Sequence, residues 1–206
     1  MNTYKKFDND VSVIKLKNNS RWLTLNGYLT LAFSDKNDNT TLRETILGIS
    51  PALFSENQQN ALIIGLGSGV TAGAAGEVFS KVRVVDINPA MIEIMEEFKE
   101  NNYDILNQDN VDIVIQDGII ELFQTKEKYD AIVNTLTTPT YYSASKFWTK
   151  NVYDQISEKL NPDGVYAAWF DTSIGEKGIK IMAKTLKASF QDCRFIVLNS
   201  TYYGTI

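Results

Sequence analysis

Apolar and polar residues alternate with a period of about two in the first part of the chain. Three such runs, VSVIKL, RWLTL and YLTLAF, lie between residues 11 and 33 and are rich in β-branched and aromatic residues. Turn-forming residues separate the runs. The second turn is Asn26-Gly27, a strong hairpin signal because both residues tolerate positive φ. The pattern therefore predicts three short antiparallel strands.

Beyond residue 60 the pattern changes to short apolar runs that alternate with segments of helical periodicity. Such alternation is typical of a parallel sheet with crossover helices. The predicted strands are Ala61 to Ile64, Lys81 to Val85, Val111 to Ile115, Tyr129 to Val133, Val165 to Phe170 and Arg194 to Leu198. We therefore expect an α/β fold with a Rossmann-like, doubly wound and mostly parallel sheet, preceded by a small antiparallel β-hairpin segment.

Apolar residues three and four positions apart predict three longer helices. These helices cover Asp38 to Leu53, Pro89 to Glu100 and Lys146 to Leu160. Asn88 is a favourable cap for the second helix. The third is expected to stop at the turn-forming residues Asn161-Pro162-Asp163-Gly164.

The length of 206 residues suits a single hydrophobic core. We expect residues 1–50 to form a small N-terminal β-rich segment plus a helix. Residues 51–206 are expected to form a Rossmann-like nucleoside-binding domain. The last residues, 201–206, resemble the start of a further strand, which predicts that the sequence is a trimmed piece of a longer domain.

Residue usage excludes several classes of function. The chain has no histidine and one cysteine, which excludes Ser-His-Asp and Cys-His catalysis, histidine metal sites and an internal disulfide. Cys193 has apolar neighbours, so we expect it to be a structural thiol. Because the chain has one cysteine and no histidine, we also expect a cytoplasmic protein without a metal cofactor. A net charge of −5 without a long basic run predicts no nucleic-acid partner. No apolar run reaches about 18 residues, so we expect no membrane contact by this segment.

The most informative segment is ALIIGLGSGVTAGAAGEVFSKVRVVDINP, residues 61–89, where a glycine-rich turn joins a strand to a helix. Gly65, Gly67 and Gly69 would let a ligand approach the backbone closely. Asp86 lies 21 positions after Gly65 and would accept hydrogen bonds from both hydroxyls of a ribose. The segment predicts a nucleoside site. A tight turn without a ligand and a dinucleotide site for NAD are the alternatives.

A second acid ends the third predicted parallel strand, in Gln116-Asp117-Gly118. Asp117 is expected to accept a hydrogen bond from the exocyclic amine of adenine, to cap a helix from Ile119 to Phe123, or to do both. The residues predicted to bind the cofactor are Gly65, Gly67, Gly69, Asp86, Ile87, Asp117 and Gly118.

The loop after the fourth strand would face the reacting end of a cofactor bound to a doubly wound sheet. No carboxylate occurs from Asn134 to Tyr142. The catalytic candidates, chosen by position, are Thr135, Thr138 and Tyr141. Only a phenol could act as a base among them, and only with a pKa lowered far from about 10. Tyr141 and Tyr142 are equally suited to packing.

Several segments together resemble the spermidine synthase family, the polyamine aminopropyltransferases. They are LTLNGYLTL, RETILGISPALF, ALIIGLGSGVTAG, VVDINP, VDIVIQDG, EKYDAIV and KFWTKNVYDQISEKLNPDGVYAAW. The resemblance implies the fold of class I S-adenosylmethionine-dependent methyltransferases and decarboxylated S-adenosylmethionine as cofactor. It further implies attack by a small-molecule amine on the carbon beside the sulfonium, and a homodimer.

The resemblance also assigns roles to residues. It implies that Asp86 binds the ribose and that Asp117 binds the adenine. The family carries two aspartates in the loop after the fourth strand, and these positions are Thr135 and Thr138 here. Neither threonine can carry charge, so base catalysis and recognition of a cation would need other groups.

Further departures from the family leave the function open. The family's glutamine after the hairpin falls at Thr30, and its Tyr-His pair falls at Leu42 and Arg43. A cationic Arg43 would repel a sulfonium and a diamine unless it turned outward or paired with Glu44 or Asp35. Three functions are therefore considered: aminopropyl transfer, methyl transfer from S-adenosylmethionine, whose carboxylate Arg43 would favour, and a non-catalytic nucleoside-binding scaffold.

Overall fold

A computed structural model describes residues 2–6, 9–16, 20–33, 39–136, 142–170 and 174–196. The strands are β1 (Asn2–Lys6), β2 (Asn9–Lys15), β3 (Arg21–Leu25), β4 (Tyr28–Phe33), β5 (Asn60–Ile64), β6 (Lys81–Asp86), β7 (Val111–Ile115), β8 (Tyr129–Asn134) and β9 (Leu160–Ala168). The α-helices are α1 (Asn39–Ile49), α2 (Val70–Gly76), α3 (Ala90–Glu93), α4 (Gly118–Gln124), α5 (Tyr142–Ser145), α6 (Lys150–Lys159) and α7 (Gly175–Lys187). Short 3-10 turns cover Ser50–Leu53, Met95–Phe98, Ile105–Asn107 and Lys146–Trp148. In these ranges no helix is both long and apolar enough to cross a membrane.

The N-terminal strands form an antiparallel sheet in the order β1-β2-β3-β4. Asn26 and Gly27 both have positive φ and make the tight turn between β3 and β4, as predicted. The sheet has one strand more than the three expected. The sequence of β1, NTYKK, has no apolar alternation, so its pairing with β2 left no signal in the hydropathy pattern.

The second sheet has five strands, all parallel, in the order β7-β6-β5-β8-β9. The chain moves outward from β5 to β7 and then returns to the other side of β5 with β8. The order therefore reverses between β5 and β8, and a crevice is expected at the carboxyl ends of these strands. The Rossmann-like, doubly wound fold is confirmed.

Both faces of the parallel sheet are covered, and β5 shows how. Ala61 and Ile63 belong to one hydrophobic cluster, which includes α2 and the N-terminal sheet. Leu62 and Ile64 belong to the other, which includes α4 and α6. Successive side chains of a strand point to opposite faces, so a continuous apolar run is needed where both faces are buried.

The helix predicted from Pro89 to Glu100 is wrong as a continuous α-helix. The segment forms the single turn α3 and then the 3-10 turn Met95–Phe98. The Met95 carbonyl accepts a hydrogen bond from Asn102 Nδ2 at 2.9 Å, and the Lys99 N–H turns to Glu96 O instead. A tertiary contact thus takes the place of the helical hydrogen bond, while Asn88 Oδ1 caps α3 by accepting from the Ala90 N–H.

Two further predictions differ from the structure toward the C-terminus. The stop predicted at residues 161–164 lies inside β9, as an irregularity across which the register shifts from Leu160 opposite Tyr129 to Val165 opposite Ala131. The strand predicted from Arg194 to Leu198 is absent over residues 194–196, which pair with no strand, and the rest of it lies outside the described residues. The predicted start of a strand at residues 201–206 also lies outside them.

Candidate functional site

The carboxyl edge of the parallel sheet is held by hydrogen bonds that continue past the ends of the strands. The Gly65 N–H donates to Val85 O at 2.8 Å, and the Thr135 N–H donates to Ile64 O at 3.0 Å. These bonds fix the first residue of each loop to the neighbouring strand. The site residues are thus positioned by the sheet itself.

At two of the three glycines in the turn after β5, a side chain would point into the protein. Gly65 and Gly69 have φ angles of +96° and +83°, which L side chains rarely adopt. A Cβ at Gly65 would collide with Thr135 Oγ1, and one at Gly69 would lie 2.7 Å from Met95 Sδ. Both positions require glycine for backbone conformation and for packing.

At Gly67, which lies between them, a side chain would point into open space. Its φ is +54°, and the nearest atom to an added Cβ would be Leu31 Cδ1 at 4.0 Å. Packing therefore gives no reason for glycine here, although the positive φ favours it. The absence of a side chain leaves the backbone open to a ligand.

The Asp86 carboxylate joins the two loops of the crevice. Oδ2 accepts a hydrogen bond from the Leu66 N–H and Oδ1 from the Asn88 N–H, both at 2.8 Å. Burial raises the pKa of Asp86, while the N–H donors of Asn88, Leu66 and Gly67 act in the opposite direction. A carboxylate offers about four lone-pair sites, so with these three backbone donors Asp86 can still accept from a ribose hydroxyl.

Asp117 caps helix α4, which was one of the two predicted roles. Its Oδ1 accepts from the Ile119 N–H at 2.7 Å and from the Ile120 N–H at 3.3 Å. Oδ2 is free of these bonds, so the cap is compatible with the predicted contact to adenine.

The other two predicted cofactor residues differ in exposure. Ile87 follows β6 and is 62% exposed at the same edge as Asp86. Gly118 is buried, and a Cβ there would lie 2.7 Å from Ile64 Cγ2 and 3.2 Å from Phe147 Cζ. Gly118 is thus needed for close packing of α4 on the sheet, and Ile87 presents an apolar surface to solvent.

Thr135, the described member of the catalytic candidates, binds the wall of the crevice. Its hydroxyl lies 3.1 Å from Ile64 O and 3.0 Å from Gly65 O and donates its proton to these carbonyls. It therefore stabilises the end of β5 rather than offering a proton to a ligand. Thr138 and Tyr141 lie outside the described residues.

The sequence did not predict the role of Asn102, whose side chain hydrogen-bonds to the glycine turn. Its Nδ2 donates to Ser68 O at 3.3 Å and to Met95 O at 2.9 Å, and the side chain is fully buried. An isolated asparagine in a polar stretch carries no motif, so no signal in one sequence identifies it.

Glu44 and Arg43, neighbours on α1, place opposite charges at the same edge. Glu44 Oε2 accepts from Thr71 Oγ1 at 2.6 Å. Burial raises the pKa of Glu44, with the Thr71 hydroxyl and then the positive charge of Arg43 lowering it. The Arg43 guanidinium lies over the ring of Trp169, with 5.5 Å between Cζ and the ring centroid. Arg43 was noticed in the sequence for its charge, but the Glu44–Thr71 contact was not.

The arrangement brings together groups that suit the ribose and the base of a nucleoside. In the described ranges, no three acidic or cysteine side chains are grouped to bind a metal ion. The polar groups that converge on the crevice are the carboxylates of Asp86 and Asp117 together with the backbone of the glycine turn.

Comparison with known proteins agrees with this geometry. The family model described as "Spermine/spermidine synthase domain" matches residues 41–205. The polyamine aminopropyltransferase 2 of Aquifex aeolicus (strain VF5) is 25% identical over 87% of this chain and 37% of its own length. The polyamine aminopropyltransferase of Streptococcus uberis (strain ATCC BAA-854 / 0140J) is 30% identical over 76% of this chain and 54% of its own length. The chain thus spans roughly a third to a half of these relatives.

Two solved structures share the fold. A spermidine synthase in complex with the transition-state analogue AdoDATO superposes with a TM-score of 0.81 at 18% identity, covering 93% of this chain and 65% of that one. The spermidine synthase from Thermotoga maritima gives a TM-score of 0.76 at 17% identity, covering 93% and 64%. With four-fifths of its residues matched by the family model, the chain belongs to the spermine/spermidine synthase domain family.

Proposed function

We propose that the protein transfers an aminopropyl group from decarboxylated S-adenosylmethionine, or from a related sulfonium nucleoside, to a small-molecule amine. The observation that carries this proposal is the fixed carboxylate of Asp86 beside the open backbone of Gly67. Family membership supports the reaction class.

The chain's own groups account for the binding of an adenosine. Asp86 accepts a hydrogen bond from a ribose hydroxyl through the lone-pair site that its backbone donors leave free. The backbone at Gly67 admits the ribose closely because no side chain fills the space above it. Asp117 accepts from the adenine amine, and exposed Ile87 covers the ring by apolar contact.

The bound nucleoside supplies an electrophilic carbon beside its positively charged sulfur. Thr135 keeps the wall of the crevice in place through its bonds to the end of β5. Asp86 and Glu44 bring two acidic groups to this edge and Arg43 brings one cation, so on balance the edge favours a ligand with net positive charge. In this proposal residues 1–50 form the N-terminal β-rich segment and residues 51–206 the nucleoside-binding domain. A homodimer and a cytoplasmic location remain predictions.

Turnover of decarboxylated S-adenosylmethionine with putrescine tests the proposal, with release of methylthioadenosine measured by chromatography. We expect Gly67→Ala to weaken nucleoside binding because its methyl group enters the space that the ribose needs. Asp86→Ala should lose binding about tenfold or more. Asp112→Ala, which removes an exposed acid on β7, is the control for charge.

The alternatives give different products. Methylated amine with S-adenosylhomocysteine would establish methyl transfer, and nucleoside binding without any product would establish a scaffold. Either outcome would overturn aminopropyl transfer. A folded chain that binds neither the donor nor methylthioadenosine would overturn the nucleoside site as well.

A further inference from the structure

We propose that the crevice binds a ligand end that carries an ammonium and a carboxylate together, with Arg43 receiving the carboxylate and Glu44 the ammonium. The inference rests on the proposed nucleoside site and names the substrate class that this site takes.

Helix α1 places these two residues beside the carboxyl edge of the parallel sheet. Arg43 contacts Trp169, which follows the carboxyl end of β9, and Glu44 contacts Thr71, at the start of α2 after the turn of β5. Strand β8 lies between β5 and β9 in the sheet. The first turns of α1 therefore bridge the carboxyl end of β8, where the loop beginning with Thr135 leaves the sheet.

The contacts of Arg43 leave its hydrogen-bonding edge available. One face of the guanidinium lies on the Trp169 ring, and Nε donates to Asn39 O at 3.0 Å. The two terminal amino groups have no acceptor within the described residues. A guanidinium that stacks on an aromatic ring keeps its planar fork, which matches the two oxygens of a carboxylate.

The other arginines of the chain have acidic partners. Arg83 binds Glu121 and Asp112, Arg21 has Glu100 within ion-pair distance, and Arg194 pairs with Asp192. Among the described ion pairs, Arg43 takes part in none. Its terminal amino groups are therefore available to a ligand.

Glu44 supplies the complementary charge. Its carboxyl is bound by one hydroxyl, that of Thr71, and makes no ion pair within the described residues. An ammonium placed beside a largely buried carboxyl favours the charged form of that carboxyl. Arg43 and Glu44 thus bring a cation and an acid to the same edge of the sheet from one helical turn.

This pair discriminates between classes of ligand. A diamine or a decarboxylated donor has only cationic groups and would gain from Glu44 while being repelled by Arg43. An amino-acid end satisfies both side chains. The carboxylate can belong to the donor, as in S-adenosylmethionine, or to the acceptor, as in an α-amino acid that also carries a second amine.

Calorimetric titrations distinguish these sources. The first compares S-adenosylmethionine with its decarboxylated form, and methylthioadenosine reports the nucleoside site alone. The second compares ornithine with putrescine, which lacks only the carboxylate, in the presence of methylthioadenosine. We expect a preference for the carboxylated member of one pair, reduced about tenfold or more by Arg43→Gln. Lys81→Gln, which removes a cation at the amino end of β6, should leave the preference unchanged.

The results separate this inference from the proposed function. A preference for S-adenosylmethionine assigns the carboxylate to the donor, and a preference for ornithine assigns it to the acceptor. Binding of methylthioadenosine with no carboxylate preference in either pair, or a preference that Arg43→Gln leaves intact in a folded variant, overturns the inference and spares the nucleoside site. If no nucleoside binds, the nucleoside site itself fails, and this inference falls with it.

Discussion

The glycine turn offers a prediction that separates packing from ligand binding. Gly65→Ala and Gly67→Ala each add one methyl group at a residue of positive φ. At Gly65 the methyl collides with Thr135 Oγ1, whereas at Gly67 its nearest neighbour is Leu31 Cδ1 at 4.0 Å. The two substitutions are chemically identical, but the added methyl group is crowded at Gly65 and uncrowded at Gly67.

The magnitudes follow from these surroundings. Gly65→Ala should cost about 1–3 kcal/mol for backbone strain and about 1–3 kcal/mol for overpacking. Gly67→Ala, at a φ of +54° near the left-handed helical well, should cost about 1–2 kcal/mol. Urea denaturation at pH 7 measures both, and in thermal unfolding each kcal/mol should lower Tm by about 2–4 °C.

A double substitution isolates the steric contribution. Thr135→Ala removes the atom that collides and should itself cost about 0.5–1.5 kcal/mol for the lost hydrogen bond. Gly65→Ala combined with Thr135→Ala should then be more stable than the sum of the single effects by about 1–3 kcal/mol.

Nucleoside binding should show the opposite ranking. Gly67→Ala is expected to weaken binding of methylthioadenosine more than Gly65→Ala does, although it destabilises the protein less. Additive stability effects at Gly65 and Thr135 would refute the packing argument. Tight binding by Gly67→Ala would refute the role assigned to the open space.

Three other predictions follow from contacts described above. Because burial raises the pKa of Glu44, the folded protein holds its proton more tightly than the unfolded chain does. The stability advantage of wild type over Glu44→Gln should therefore fall as pH rises above about 4.3, measured by urea denaturation from pH 4 to 8; a constant difference would contradict this. Asp117→Asn should leave Tm almost unchanged, because one oxygen, Oδ1, makes both capping bonds, whereas Asp117→Ala should cost about 1 kcal/mol; equal losses would show that charge rather than capping matters. Gly73→Ala should destabilise the protein by about 1–3 kcal/mol in chemical denaturation, since its methyl would collide with the Asn102 carbonyl; a neutral result would mean that α2 can move away from that segment.

The two strands that flank the glycine turn and the turn itself were predictable because their signals are local. Apolar runs, the Gly65–Gly69 spacing and the acid at position 86 all lie within about 30 residues, and the structure joins them as expected. The helix beyond Pro89 was predicted wrongly because its hydrogen bonding depends on Asn102, a partner that periodicity does not include. Long-range contacts override local propensity in this way.

The acidic residues of the candidate site were predictable from the sequence, whereas most of their hydrogen bonds to the rest of the protein were not. That Asp117 ends a strand was visible, as was the choice between cap and ligand. The two hydrogen bonds that Asp86 accepts from the Leu66 and Asn88 N–H groups could not be predicted, because every residue except proline has a backbone N–H and its direction depends on the fold. The pairing of Glu44 with Thr71 spans 27 positions and needs the fold to bring α1 onto α2.

Asp86 has a consequence for how relatives of this chain should be interpreted. Its carboxylate fastens the loop after β5 to the loop after β6. A descendant that lost catalysis would still need this acid to fold its turn, so selection for stability alone would preserve it. Retention of Asp86 in a related sequence thus reports an intact scaffold. Gly67 reports on ligand binding more directly, because its positive φ favours glycine but no packing contact requires it.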